Sequence, residues 1–265
     1  MGIRWVIVIS CCWLGAGGLL ASRSMPDDAQ GVPCLERLSR HQRLAPTLKK
    51  AQEALRRNDF PRARALCARI LQAAPGHPEA HFLLALLGYR DGEFPAAVEH
   101  LERAEAGYAD LDACWRQLLT EREKLRQAER EALRQYSASL PEVGEKSSCH
   151  GVVYDRHKTA AEEKIRSLGE GGAGRPDSPF MIPAEVRFQH GNALNRLGRL
   201  EEALAQFDAA LTIDPRHLGA ATNRIVLLWQ SGRAELARRR LEEARQSGLV
   251  IDPGLAALVQ GQSPP

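Results

Sequence analysis

The sequence of 265 residues lacks the short motifs that mark several common enzyme and cofactor classes. Its six cysteines form neither a CxxC pair nor a CxxCH, which argues against a thioredoxin-type site, a zinc ribbon and a covalent c-type haem. The glycine-rich run 169–174 lacks the Lys-Ser/Thr of a phosphate-binding loop and follows no strand, so phosphate binding is not expected there. Because the net charge is only +3, composition gives no reason to expect a nucleic-acid partner.

The amino-acid composition is typical of a soluble helical protein. Hydrophobic residues make up 44% of the chain, charged residues 26% and aromatic residues 5%. Arginine is interleaved with glutamate along the predicted helix faces, which is typical of solvated surfaces with i,i+3 and i,i+4 ion pairs. The length allows one or two domains.

The most informative stretch is 184–217, which predicts two helices joined by a tight turn. Gly198 suits the C-terminal end of the first helix, where a left-handed conformation is needed. Asp214-Pro215 ends the second helix, because proline lacks an N–H and disfavours helix in the residue before it. Small residues let the two helices approach and larger ones fill the space around them: Gly191, Ala203 and Ala210, then Phe188, Leu194 and Phe207.

The segment 218–248 repeats this plan 34 residues later. The corresponding positions are Gly198 and Gly232, Ala203 and Ala237, Phe207 and Leu241, and Ala210 and Ala244. A 34-residue period with a helix-turn-helix in each unit resembles the tetratricopeptide (TPR) repeat family. The resemblance implies an all-α solenoid of stacked hairpins and a non-enzymatic role in binding other proteins. One hairpin cannot bury its apolar face alone, so we expect its neighbours to complete the core.

Two further hairpins are predicted nearer the N-terminus, since Phe60 and Phe94, like Ala63 and Ala97, are 34 residues apart. A third unit opens with Trp115-Arg116-Gln117-Leu118, which matches the W-x2-L opening of the family. No turn glycine follows near Arg126. One helix is therefore predicted over Leu111–Tyr136, either as a cap of the stack or as a short coiled-coil surface.

These patterns predict two short arrays with an irregular central insert. The predicted divisions are 1–24 (signal peptide or signal-anchor), 25–43 (lead-in segment), 44–136 (first array with its long helix), 137–182 (insert or linker) and 183–262 (second array with a capping helix). The capping helix begins at Asp252-Pro253, with Asp252 as its N-cap and Pro253 in its first turn.

The N-terminal segment carries Arg4 and then an apolar run from Trp5 to Ala21. This run is marginal for a membrane span and long for a signal-peptide core, so both a cleaved signal and an uncleaved anchor remain open. Val8-Ile9-Ser10-Cys11 also resembles a bacterial lipobox with Cys11 as the lipidated residue. Each alternative predicts an exported protein, periplasmic or anchored to the membrane by this segment, in a bacterial envelope.

Four cysteines follow the leader, namely Cys34, Cys67, Cys114 and Cys149, and in an oxidising compartment they allow three full pairings. Cys67 and Cys114 fall at apolar helical positions and are expected to be buried thiols. Cys34 and Cys149 lie in less regular stretches, so a Cys34–Cys149 bridge is possible and the disulfide state stays open.

The insert brings together residue types that can form a nucleophilic or metal site: Cys149, His150, Tyr154, Asp155 and His157. Adjacent Cys149 and His150 usually point in different directions, and no matching ligand pair occurs elsewhere in the sequence. We therefore favour a structural or linker role for the insert and predict no catalytic, cofactor or metal site.

In TPR arrays the first helix of each hairpin lines the concave face, where peptides or helices bind. The resemblance therefore implies these partner-binding residues: Phe188, Asn192, Asn195, Arg196, Asn223, Val226, Trp229 and Gln230. The asparagine amides can pair with a ligand backbone, and Phe188 and Trp229 can act as apolar anchors. For Trp229 the alternative is packing against the capping helix.

Asn192 and Asn223 match asparagines of the TPR subgroup that clamps peptide C-termini. That subgroup has a lysine where this chain has Phe188, and a third repeat with basic residues that this chain lacks, so a clamp is not expected. The predicted partner is a protein or peptide of unknown identity. Self-association through Leu111–Tyr136, or through an open array end, is the second hypothesis.

Overall fold

The computed structural model describes residues 32–139, 158–167 and 178–261, and every regular element in these ranges is a helix. The predicted leader with Cys11, and the insert residues Cys149, His150, Tyr154, Asp155 and His157, lie outside the described residues. None of the described helices combines the length and hydropathy that a membrane span requires.

The described helices follow one another in this order: α1 (Val32–Arg56), α2 (Phe60–Ala73), α3 (Pro78–Arg90), α4 (Phe94–Ser139), α5 (residues 158–167), α6 (Ala184–Arg196), α7 (Leu200–Ile213), α8 (Leu218–Gln230), α9 (Ala234–Gln246) and α10 (Pro253–Gly261). The hairpins are α1/α2, α3/α4, α6/α7 and α8/α9. The predicted all-α solenoid is confirmed.

All four hairpins turn through a residue in the left-handed region. The φ angles are 59° at Asn58, 81° at Gly92, 73° at Gly198 and 78° at Gly232. Glycine adopts this conformation without steric penalty, and asparagine is one of the few other residues that visits it routinely. The predicted turns at Gly198 and Gly232 are confirmed, and Asn58 supplies the same geometry in the first hairpin.

The small and large residues of the hairpins pack against each other as predicted. A Cβ at Gly191 would lie 2.6 Å from the ring of Phe207, so only glycine lets α6 and α7 approach this closely. Ala203, Phe207 and Ala210 are fully buried. In the next hairpin Ala237, Leu241 and Ala244 are buried at the equivalent positions.

The two arrays share one core. Val98, Leu101 and Tyr108 of α4 belong to the same buried cluster as Val186 and Leu194 of α6. The described parts of 36–113 and 179–261 form one compact unit, which we call the repeat unit, and those of 32–35 and 114–178 form a second unit. The sequence suggested two separate arrays, whereas α6 continues the stack begun by α3, because each array covers an apolar end of the other.

Two helices are longer than the repeat pattern predicts. α1 runs without a break from Val32, within the predicted lead-in segment, through the first hairpin helix, with Pro46 inside it. α4 joins the return helix of the second hairpin to the predicted Leu111–Tyr136 helix. Gly107 lies at this junction, where a Cβ would clash with the carbonyl oxygen of Gly76.

The structure corrects the predicted cysteine pairing. Cys34 of α1 forms a disulfide with Cys114 of α4, with 4.9 Å between their Cα atoms. The expectation of a free Cys114 and the possible Cys34–Cys149 bridge were wrong, because uninterrupted α4 brings Cys114 to the first turn of α1. Cys67 is a buried free thiol, as predicted, and burial raises its pKa to about 11.

The last helix begins as predicted. The backbone N–H of Leu255 donates to Asp252 Oδ1 at 2.9 Å, which caps α10. Ala256 and Val259 are buried, whereas Leu258 is exposed. α10 therefore covers the end of the stack with one face.

Candidate functional site

The central asparagines of the predicted site lie next to each other on the first helices of two neighbouring hairpins. Asn223 Nδ2 of α8 donates to Asn192 Oδ1 of α6 at 2.6 Å. Asn192 Nδ2 donates to Gln189 Oε1 at 3.3 Å. We call Gln189, Asn192 and Asn223 the amide ladder. It crosses from one repeat to the next and fixes the orientation of each amide.

The amide ladder keeps capacity for a ligand. A primary amide has two N–H donors and a carbonyl oxygen with two lone pairs. The two ladder bonds use one N–H of Asn192 and one of Asn223, and all three side chains are only partly buried. Gln189 Nε2 also donates to Glu185 Oε1 at 2.7 Å, so the capacity that remains lies mainly on the two asparagines.

Phe188 is held beside the ladder by its own hairpin and by the start of the next one. Its ring centroid lies 4.8 Å from that of His217 and 6.1 Å from that of Phe207. A Cβ at Gly219 would lie 2.8 Å from the Phe188 ring, so this glycine makes room for it. Phe188 is half-buried and presents part of a fixed apolar surface.

Trp229 occupies a different environment. Its side chain is 4% exposed and belongs to the same buried cluster as Ala256 and Val259 of α10. An apolar anchor needs surface that a partner can reach, so the structure assigns Trp229 to the core, in agreement with the alternative of packing against the capping helix. Asn195 and Val226 are half-buried, and Gln230 is exposed.

The first array adds aromatic residues that the sequence analysis missed. The Arg196 guanidinium lies 5.1 Å from the centroid of the Phe94 ring, and Tyr89 contacts Phe94 edge-on with 5.3 Å between ring centroids. Tyr89 occupies the same repeat position as Asn195. The repeat alignment therefore already placed Tyr89 at a partner-binding position. This could be recognised only once the two arrays were known to stack. We call the amide ladder together with Tyr89, Phe94 and Arg196 the groove, after the concave binding face that the repeat family implies for this region.

A mostly buried charge network joins the two arrays beside the groove. Arg187 Nη1 of α6 donates to Glu105 Oε2 of α4 at 2.5 Å, and His190 Nδ1 lies 2.8 Å from Glu105 Oε1. Arg187 also donates to Gln206 Oε1 at 3.1 Å. These contacts connect α6 to α4, while His190 Nε2 is buried without a hydrogen-bond partner among the described residues.

A second cluster lies at the start of α3. His77 Nδ1 is 3.3 Å from Glu79 Oε2, His41 Nε2 is 3.5 Å from Glu79 Oε1, and the two imidazole rings have centroids 4.5 Å apart. Burial lowers the pKa of His77 to about 4, so its imidazole is neutral near pH 7. Burial raises the pKa of the Glu79 carboxyl. Sequence reasoning missed this group, since His41 and His77 follow no metal-ligand spacing.

Comparison with known proteins identifies the repeats. Residues 48–112 and 188–256, just over half of the chain, match the family model described as tetratricopeptide repeat. No curated protein matches the chain.

Several solved structures are similar to this chain. YrrB, described as a TPR protein with an unusual peptide-binding site, is 20% identical, with 82% of this chain and 91% of YrrB covered and a TM-score of 0.30. TTC0263 from Thermus thermophilus, described as a thermophilic TPR protein, is 17% identical, with 82% and 96% covered and a TM-score of 0.33. MamA AMB-1 is 19% identical, with 82% and 97% covered and a TM-score of 0.26.

The four hairpins, their left-handed turns and the match over both arrays lead to one conclusion. This chain belongs to the tetratricopeptide repeat family, whose stacked helices serve as a scaffold for protein–protein interaction.

Proposed function

We propose that the chain is a non-enzymatic scaffold that binds an extended peptide, or an extended segment of a protein, along the groove. The observation that carries the proposal is the amide ladder. Its 2.6 Å bond between Asn192 and Asn223 holds two backbone-binding amides in fixed orientation across two repeats. Preorganised groups lose little conformational freedom on binding, which favours affinity.

The ends of the groove define the chemistry of the ligand. Tyr89, Phe94 and Arg196 offer aromatic faces and one cation, which suit an apolar or aromatic side chain followed by an acidic group. Phe188 stands where a lysine would bind a terminal carboxylate. We therefore assign the groove to an internal segment of the partner and not to its C-terminus.

The test is affinity purification from the native host with the Asn192→Ala/Asn223→Ala double variant. Recovery of the specific partners is expected to fall at least about tenfold, since two backbone hydrogen bonds of about 1 kcal/mol each are lost. Gln246→Ala removes an exposed amide from α9, outside the groove, and is the matched control. Unchanged recovery by a folded double variant would reject the groove.

We place this function outside the cytoplasm, in a bacterial envelope. Two features support the placement, namely the apolar run of the N-terminal segment and the Cys34–Cys114 disulfide. Disulfides persist in oxidising compartments and are rare in the cytosol. Fractionation of the full chain in its host, with alkylation of free thiols, tests this. A cytoplasmic protein with both cysteines alkylated would contradict it.

Self-association is the second candidate, favoured by apolar residues on the exposed part of α4. Leu125 is 57% exposed and Tyr136 is 45% exposed. Light scattering at increasing concentration, with Leu125→Glu for comparison, tests it. A monomer at all concentrations would remove this candidate, whereas an oligomer that Leu125→Glu dissociates would support it.

A further inference from the structure

We infer that His41, His77 and Glu79 form a binding site for a single Zn²⁺ ion, separate from the groove. The three residues come from α1 and from the start of α3. Their potential ligand atoms all lie within 4.8 Å of one another.

Two spacings between potential ligand atoms are close to those of a tetrahedral zinc site. Zinc binds nitrogen and oxygen ligands at about 2.0–2.1 Å, which places neighbouring ligand atoms of a tetrahedron about 3.3–3.4 Å apart. Here His77 Nδ1 and Glu79 Oε2 are 3.3 Å apart, and His41 Nε2 and Glu79 Oε1 are 3.5 Å apart. Because these contacts use different oxygens of Glu79, the carboxylate and the His41 ring must move to bring one atom from each residue onto the same ion.

The burial of His77 is the second, independent observation. Its side chain is 1% exposed. Within the described part of the chain, neither of its ring nitrogens has a hydrogen-bond partner, and Glu79 Oε2 also lacks one. Buried polar groups are normally paired, so unpaired nitrogen and oxygen atoms that face one another need an occupant. A metal ion bound between them satisfies His77 Nδ1 and Glu79 Oε2 and leaves only Nε2 of the ring without a partner.

A route for the ion is present. His41 and His77 line a cavity of about 190 Å³ together with Pro75 and Asp110. A water molecule in this cavity can complete the coordination, as in sites with two histidines, one glutamate and an open position. Two arginines also line the cavity, but Arg37 is paired with Asp110 at 2.8 Å and Arg40 with Glu36 at 2.6 Å.

The donor set selects the metal. Imidazole nitrogens suit zinc and its transition-metal neighbours, whereas calcium and magnesium prefer sites made of oxygen atoms. The His41 and His77 rings are inclined by only 22°, so binding requires the less buried His41 ring to turn until Nε2 faces the ion. The bound ion would connect α1 to the start of α3 and stabilise the first two hairpins.

The test is titration of the full chain, purified without a histidine tag and stripped with a chelator, with Zn²⁺ alone. One ion per chain is expected, and Co²⁺ should give the visible absorption of a tetrahedral complex. Glu79→Gln and His77→Ala should each weaken binding by at least the roughly 10–100-fold seen when outer-shell partners of a metal are lost.

His100→Ala is the matched control, because His100 lies in the same array and faces His81, with 3.1 Å between their Nδ1 atoms. Its zinc affinity should equal that of the wild type. If His77→Ala fails to fold, Glu79→Gln and His41→Gln carry the test, with helical content checked by circular dichroism. Absence of zinc binding, or zinc binding that Glu79→Gln and His41→Gln leave unchanged, would overturn the site.

Discussion

The return helices α4 and α7 occupy the same place in their hairpins but end very differently. α7 stops at Ile213, whereas α4 continues to Ser139 and is 46 residues long. Pro215 follows α7, and Pro75 holds the same repeat position after α2, but in α4 this position is Ala109. The comparison shows that the return helix with alanine at this position continues, whereas the two that are followed by proline end.

The largest expected difference in stability is between a substitution on the buried face of α7 and one in the distal part of α4. Phe207→Ala should lower the free energy of unfolding by about 4 kcal/mol, because it leaves a cavity at a fully buried position. Leu125→Ala, at a position that is 57% exposed, should change it by less than about 0.5 kcal/mol. Chemical denaturation followed by circular dichroism measures both. Equal losses would contradict the difference between the two helices.

Placing the missing proline in α4 tests the comparison directly. Ala109→Pro should lower the free energy of unfolding by about 3 kcal/mol, since proline removes a helix hydrogen bond and clashes with the preceding turn. Pro215→Ala should cost less than about 1 kcal/mol, because Asp214 is already outside α7. Denaturation of both variants checks this asymmetry. A tolerated Ala109→Pro would show that α4 is not held as one helix.

The disulfide tests how firmly the continuous α4 is fixed to α1. Cys34→Ser with Cys114→Ser should lower the free energy of unfolding by about 2–3 kcal/mol, because the bridge closes a long loop in the unfolded chain. Reductant should destabilise the wild type and leave the double variant unchanged. Thermal unfolding with and without reductant makes the measurement. No effect of reductant on the wild type would mean that the bridge does not form.

The smallest expected effect on stability concerns the turn glycines of two hairpins, one from each array. Their substitution should lower the free energy of unfolding by the same amount. Gly92→Ala and Gly198→Ala should each lower the free energy of unfolding by about 1 kcal/mol, because an L side chain is strained in the left-handed region. Both glycines have a positive φ, and an added Cβ would meet nothing within 4 Å, so only backbone strain is introduced. Denaturation of the two variants side by side is the measurement. Clearly unequal losses would mean that the turns differ in more than backbone geometry.

The sequence predicted the features that repeat locally. The turns at Gly198 and Gly232, the buried Phe207 and the cap at Asp252 each depend on residues close in the chain, whose spacing is visible directly. The same reasoning located the amides Asn192 and Asn223, although their mutual hydrogen bond required coordinates.

The features that sequence reasoning missed depend on distant partners. Glu105 meets Arg187 across 82 residues, and Cys34 meets Cys114 across 80. Neither pair has a periodic signature, and the Cys34–Cys114 pair also depends on α4 continuing past Ala109. The contribution of Phe94 to the groove was missed because its contact with Arg196 joins residues of the two arrays.

The shared core of the two arrays has a consequence for biosynthesis. Tyr108 leaves the ribosome 78 residues before Val186, which belongs to the same cluster. At a synthesis rate of about 5–20 residues per second, the apolar surface of α4 stays exposed for roughly 4–16 s before the residues of α6 that bury it are synthesised. The nascent chain is therefore most open to capture by chaperones, or to misassembly, while the intervening segment is being translated.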